Sequence, residues 1–410
     1  MLLNRRGHGG RLCAAILAAL SMVLFLGMAA PAAAQYDWEA VVGGGAAVGN
    51  GFGDTGNQGI GAMAVFNGRL FAASSHHSGE TFQLWWTDDG VTWNKHADDG
   101  FGDVNNLGVL AMVIFDGYLY AGTVNDTAGA QIWRTDNGID WTPVANNGIF
   151  NPSNDAVTCL EVHDGALFAG TENQPGGGQI YRTTNGTSWL PVMIGGFGNV
   201  SNRAVASLQS YGGRLYAGTY KDSTLLNQGA EIYWADSFTG TVTWDGAATP
   251  GFGDNYNMAF PSMTVYNGQL YVGTTQLNAL FGTGCEVWRW TGSLTMGTWQ
   301  MVGNGGFGSV MSASATRFYH YNGKLLVGVE DPGGAKLMQF EDILSWDPLV
   351  SDGFGDNDNI GVLGGAVFDS NLFIGTTNTT DGCEVHREVT TIFYDDFEFG
   401  DTLDWSSTVP

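Results

Sequence analysis

The chain has 410 residues, with 63 glycines, 12% aromatic residues, only 13% charged residues and a formal net charge of −25. That much apolar and aromatic material excludes a disordered chain. The acidic balance also argues against nucleic acid or an anionic membrane surface as a partner, because both carry the same sign of charge.

In chain order, the first segment reads as an export signal. Arg5, Arg6 and Arg11 precede an apolar run from Leu12 to Ala30, and Ala32-Ala33-Ala34 supplies a small-residue cleavage site. Residues 1–34 are therefore expected to be removed, leaving an extracellular or periplasmic protein with no membrane segment. Cleavage leaves 12 basic against 40 acidic residues, a net of −28. It also removes Cys13. Cys159, Cys285 and Cys383 remain, an odd number that points to small buried hydrophobes and away from a disulfide framework.

From residue 35 to 389 the chain repeats itself. Gly-Phe-Gly or a close variant recurs at Gly51, Gly100, Gly148, Gly196, Gly251, Gly306 and Gly353, with steps of 49, 48, 48, 55, 55 and 47 residues. Each repeat opens with an apolar run, as in Ala62 to Phe66 and Ala111 to Phe115. A two-residue turn follows: Asn67-Gly68, Asp116-Gly117, Asp164-Gly165, Gly212-Gly213, Asn267-Gly268 and Asn322-Gly323. Asn-Gly and Asp-Gly between apolar runs signal a hairpin, since both central residues need positive φ. The last copy places Ser370-Asn371 there. A second strand such as Leu119 to Thr123, a variable loop, a third strand such as Gln131 to Arg134 and a Trp-led fourth strand complete the unit.

Four strands per unit without helical periodicity predict a propeller blade. The expected fold is all-β: a seven-bladed β-propeller of four-stranded antiparallel blades. The last copy stops near Val389 without its fourth strand. Trp38-Glu39-Ala40-Val41-Val42-Gly43 matches Trp299-Gln300-Met301-Val302-Gly303, so the N-terminal strand is expected to complete the last blade and close the ring. Residues 390–410 form a separate acidic C-terminal tail.

The turn before the fourth strand carries a family resemblance. Asp88, Gly90 and Trp93, then Asp136, Gly138 and Trp141, and more weakly Gly186 and Trp189, resemble the Asp-x-Gly-x-x-Trp heart of the Asp-box (BNR-like) repeat of bacterial secreted propellers. The resemblance implies a structural role for these residues, with Asp capping turn amides and Trp packing between sheets. It implies the fold and no activity.

No catalytic constellation stands out. The sialidase arginine triad is missing: Arg134, Arg182, Arg289 and Arg387 share one repeat position, Arg69 and Arg214 another. Only Arg203 and Arg317 lie near the start of an innermost strand. Glu161 is the one acidic residue within an innermost run, while Glu172, Asp222 and Glu330 lie after second strands.

Gly-Phe-Gly-Asp-x-x-Asn recurs in full four times and presents Asp54, Asn57, Asp103, Asn106, Asp254, Asn257, Asp356 and Asn359 on the face that carries the variable loops. Two readings stand. Together with Glu172, Arg203 and Arg317, these residues line a ligand face for sugar hydroxyls or for a cation such as Ca2+. Alternatively, Asp and Asn cap linker backbone and Phe wedges between blades. The functional expectation is an exported, non-catalytic binding or scaffold module for a glycan, peptide or surface partner. The competing expectation is a glycoside hydrolase using a carboxylate pair in a central pocket.

Overall fold

The structure, a computed structural model, describes residues 36–76, 81–221, 228–276, 282–292, 297–342 and 345–389. The expected signal segment, the C-terminal tail and Asp222 lie outside them.

The described chain is built of antiparallel strands, and one four-stranded plan recurs along it. In the third unit, Ala156–His163 pairs with Ala166–Glu172, which pairs with Ile180–Thr183, which pairs with Leu190–Met193. The hairpins turn where the sequence predicts. At Asn67-Gly68 φ is 49° and 74°, and at Asp116-Gly117 48° and 77°, the left-handed pair that Asn, Asp and Gly tolerate.

The last hairpin departs from expectation by one residue. Its left-handed residues are Asp369 (φ 46°) and Ser370 (φ 66°), and Asn371 already sits opposite Phe368 in the ladder. Every other copy has Gly at the second turn position; here a Ser carries the left-handed strain. Ser370→Gly is expected to stabilise the protein by about 1 kcal/mol, read from the denaturation midpoint. A lower midpoint would show that Ser370 makes a compensating interaction.

The units pack closely because glycine punctuates the second strand. A Cβ on Gly122 would lie 2.4 Å from Cγ1 of Val157 in the next unit. One on Gly375 would lie 2.4 Å from Cβ of Ile60. The repeated Ala-Gly-Thr therefore marks a contact between units that only a bare backbone permits. Between the second and third units lie Tyr120, Val157, Leu167 and Tyr181, all buried.

The two ends of the described chain meet. Strand Asp37–Val42 pairs antiparallel with Val385–Val389, with Trp38 opposite Glu388 and Ala40 opposite His386. Beside it, the Gly51 amide donates to the Cys383 carbonyl at 2.7 Å and the Cys383 amide to the Asn57 carbonyl at 2.7 Å. Interior junctions use the same bonds: Gly148 N–H to Ala130 O at 2.9 Å and Ala130 N–H to Asn154 O at 2.8 Å.

Candidate functional site: linkers and a central cavity

The linkers are tight turns held from inside. Phe52, Phe101, Phe252 and Phe354 have φ between 55° and 65°, a conformation that costs a non-glycine residue about 1 kcal/mol or more. Ring packing holds them there. Phe52 stacks on Trp85 at 4.6 Å and meets Trp93 edge-on at 5.4 Å. Phe252 stacks on Trp288 at 4.5 Å and meets Trp299 at 5.2 Å. Phe354 stacks on His386 at 4.4 Å, and its edge-on partner is Trp38, at 5.0 Å. Trp38 of the N-terminal strand thus meets Phe354 as Trp93 meets Phe52 and Trp299 meets Phe252.

The linker Asn side chains are fully buried and donate inward. Asn57 Nδ2 donates to Gly51 O at 2.8 Å and Gln83 Oε1 at 2.9 Å. Asn106 donates to Gly100 O and Gln131 at 2.8 and 2.9 Å. Asn257 and Asn359 do the same toward Glu286 and Glu384, at 2.8 and 2.7 Å. The Asp side chains bend over their own turns. Oδ1 of Asp54, Asp103, Asp254 and Asp356 accepts from the amide two residues on, at 2.8 to 3.0 Å. Oδ2 of Asp103 accepts from Gln131 at 2.8 Å, and that of Asp356 from Asn378 at 3.2 Å.

Two features of this network were not singled out from sequence. Outside the sixth unit, the Gln or Glu just before the third strand is the acceptor for the linker Asn. In the sixth unit the whole set changes together. Ser312 replaces Asn, Lys336 replaces Gln or Glu, and Lys336 pairs with Asp331 at 3.1 Å while donating to Ser312 at 3.0 Å. The shared signal was the repeat position itself, visible as Gln131, Gln179, Glu231, Glu286 and Glu384.

The turns before the outer strands are capped one residue later than the Asp-x-Gly spacing suggests. Asp89 Oδ1 accepts from Val91 N–H at 2.8 Å and Thr92 N–H at 2.6 Å. Asn137 and Asn185 do the same in the next two units. The hydroxyls of Thr87, Thr135 and Thr183 take the Gly90, Gly138 and Gly186 amides at 2.8 to 2.9 Å. The turn amides hold the Asp89 carboxyl well below the usual carboxylate range. Asp88 is exposed and pairs with Arg69 at 2.9 Å. Asp136 offers its carbonyl to Asn67 at 3.0 Å. Trp93 and Trp189 are buried. The legible signal was Thr-x-Asp/Asn-Gly, present in all three copies.

The expected ligand residues divide in space. Glu172 and Arg203 find each other, at 2.5 Å to Nη2 and 2.7 Å to Nε, and join the third unit to the fourth. Arg317 lies apart, in a central cavity of about 250 Å³. All the innermost strands line this cavity. Its walls include Met63, Met112, Leu208 and Met263, and its charged lining residues are Glu161 and Arg317. Each innermost strand carries a register shift just before this level, as between Val157 and Cys159 and between Ala315 and Arg317. Such bulges re-aim the following side chains.

Glu161 Oε1 accepts from Ser210 N–H at 2.9 Å and Gln209 Nε2 at 3.4 Å. Burial, only partly offset by the Ser210 bond, pushes its carboxyl up to about 7. The folded state then holds a proton that the unfolded chain has already released. Stability contributed by this group therefore falls as pH rises from about 4.5 to 7. The fall amounts to roughly 3 kcal/mol, and Glu161→Gln is expected to abolish it. Chemical denaturation at pH 5 and pH 8 checks this; parallel pH profiles for the two proteins would refute it. Nearby, Cys159 is a buried free thiol, pushed up to about 12 by burial. Cys285 and Cys383 are also free and buried. Among the described residues no group of three or more His, Cys, Asp or Glu is arranged to hold a metal ion.

A family model described as "DUF6242 beta propeller domain" matches residues 87–237. Among curated proteins none matches the sequence. Among solved structures, an ancestral GH74 enzyme is similar at a TM-score of 0.54, with 11% identity, over 83% of this chain and 49% of that one. The β-propeller domain of the Trilobed protease from Pyrococcus furiosus, described as having an open velcro topology, is 8% identical over 80% of this chain and 95% of that one, at a TM-score of 0.49. An α-L-arabinofuranosidase from Clostridium thermocellum is 17% identical over 59% and 92%, at 0.37. Likeness at such identities concerns fold alone. With the recurring four-stranded units and the matched segment, the conclusion is that the chain is an all-β protein carrying a β-propeller domain.

Proposed function

We propose that the chain is an exported, non-catalytic binding or scaffold module, a seven-bladed β-propeller whose N-terminal strand completes the last blade. The closure reading is supported by the pairing of Trp38 with Glu388, the placement of Trp38 on Phe354, and junction bonds like those between interior units. Export is supported by the charged and apolar start of the sequence.

One observation carries the non-catalytic reading. Among the described residues lining the central cavity, Glu161 is the one carboxylate, and hydrolysis by the usual glycosidase route needs two flanking the same bond. The competing reading, a glycoside hydrolase, requires a partner for it. A glycan array combined with a screen of chromogenic glycosides separates the two. Retention of a glycan without release of chromophore supports a binding module. Turnover that disappears in Glu161→Gln overturns it.

The linker Asp and Asn residues belong, on this reading, to the scaffold and not to a cation site, because their polar atoms are, apart from the unpartnered Asn57 Oδ1, committed around the linkers. Calcium titrated into the protein is expected to give no heat and no rise in melting temperature. Saturable heat that is lost in Asp103→Asn would restore the cation reading.

A further inference from the structure

We propose that the central cavity lined by Arg317 and Glu161 is a binding site for a small carboxylate that also carries a hydrogen-bond donor. The inference rests on the reading of the chain as a binding module and names the ligand class its central cavity would take.

Arg317 is the first reason. A guanidinium has five N–H donors, and the bond found for Arg317 runs from Nη2 to the Leu110 carbonyl, 2.8 Å away on the innermost strand of another unit. Most other described cations in partly buried places are neutralised or covered, although Arg289 has a neutral amide partner, Gln300 Oε1 at 2.7 Å. Arg203 has Glu172, Lys336 has Asp331, Arg134 lies over Tyr118 at 4.1 Å and Arg214 over Trp234 at 3.6 Å. Arg317 has a carbonyl and neither a carboxylate nor a ring, yet it lines a confined cavity. A partly buried guanidinium without a counter-charge keeps an unmet demand for an anion, and a carboxylate matches its fork with two parallel hydrogen bonds.

Glu161 is the second. Both bonds to its carboxyl fall on Oε1, which leaves Oε2 to meet a donor on a ligand. Among the described bonds Arg317 is spent on the Leu110 carbonyl and Glu161 on Ser210 and Gln209, and neither group is bonded to the other. Tyr319, also in the lining, is 7% exposed and its hydroxyl has no hydrogen-bond partner. The volume, about 250 Å³, equals that of roughly eight waters, and the Met and Leu walls offer apolar contact. A hydroxy or sugar acid fits this pattern through a hydroxyl on Glu161, and an α-amino acid through an ammonium.

Isothermal titration calorimetry on the full chain tests the proposal with three probes: D-glucuronate, L-alanine and, as the neutral control, D-glucose. The expected result is saturable one-to-one heat with D-glucuronate or L-alanine and none with D-glucose. Arg317→Gln should weaken that binding at least tenfold, the scale of a lost charge-assisted pair. Glu161→Gln should weaken L-alanine strongly and D-glucuronate little, which distinguishes the two donors. If Arg317→Gln fails to fold, Arg317→Lys keeps the charge and loses the fork, and reduced affinity at an unchanged melting temperature is then expected. Absence of heat from both carboxylates, or equal affinity in the Arg317 variants, overturns the site. Glycan retention on an array with no heat from either carboxylate overturns the cavity site while leaving the binding module standing. Turnover of a chromogenic glycoside that Glu161→Gln abolishes would overturn the module itself.

Discussion

Deleting residues 36–42 is expected to be the most damaging small change to the protein, lowering its stability by roughly 6 kcal/mol. The strand Asp37–Val42 contributes two buried valines, Val41 and Val42, to a cluster with Ile60, Phe373 and Val385. It also places Trp38 against Phe354 and lets Glu39 pair with Arg387 at 2.8 Å. Its loss exposes that apolar surface and leaves the edge of Val385–Val389 unpaired, a template for aggregation. Scanning calorimetry should show a melting temperature lower by about 10 °C, and a synthetic peptide of the strand added in excess should recover part of it. A deletion that melts with the full chain would show that the N-terminal strand does not hold the last unit.

Asn106→Ala is expected to cost about 3 kcal/mol although it removes only a short side chain. The Asn106 amide is fully buried. It donates to Gly100 O and Gln131 Oε1 and accepts from Asn125 Nδ2 at 3.1 Å. Truncation takes one bond from each of three buried partners, leaving Gly100 O with the Asp103 amide, Gln131 Oε1 with Trp133 Nε1 and Asn125 Nδ2 with Asp103 Oδ2, and each bond lost in this buried network carries its own cost. The Gly100 carbonyl belongs to the turn that keeps Phe101 left-handed, so the linker is expected to loosen as well. Urea unfolding measures the loss. A double-mutant cycle with Gln131→Ala should show strong coupling, because the two side chains are direct partners in one buried network. Additive effects would mean that the network is not shared.

Much of the fold was legible because its code is local. Asn-Gly and Asp-Gly set left-handed turns wherever they occur, alternating apolar runs set strands, and a fixed period tied the units together. The match between Trp38–Gly43 and Trp299–Gly303 pointed to the strand pairing found with Val385–Val389. Errors arose where one residue of register decides. The final turn lies at Asp369-Ser370 and not at Ser370-Asn371. The turn caps are Asp89 and Asn137, not Asp88 and Asp136. In both cases neighbouring side chains are chemically similar, and only backbone geometry chooses between them.

The sequence by itself determined the repeat, the four-strand unit, the hairpin chemistry and the acidic character, since each follows from short-range backbone preference or from composition. Tertiary structure alone decided which charges meet. Arg203 and Arg317 look alike along the chain, yet one faces Glu172 across a junction and the other a cavity. The difference lies in contacts between residues far apart in sequence, and a propeller sets those through the packing of whole units against one another, which no local pattern encodes.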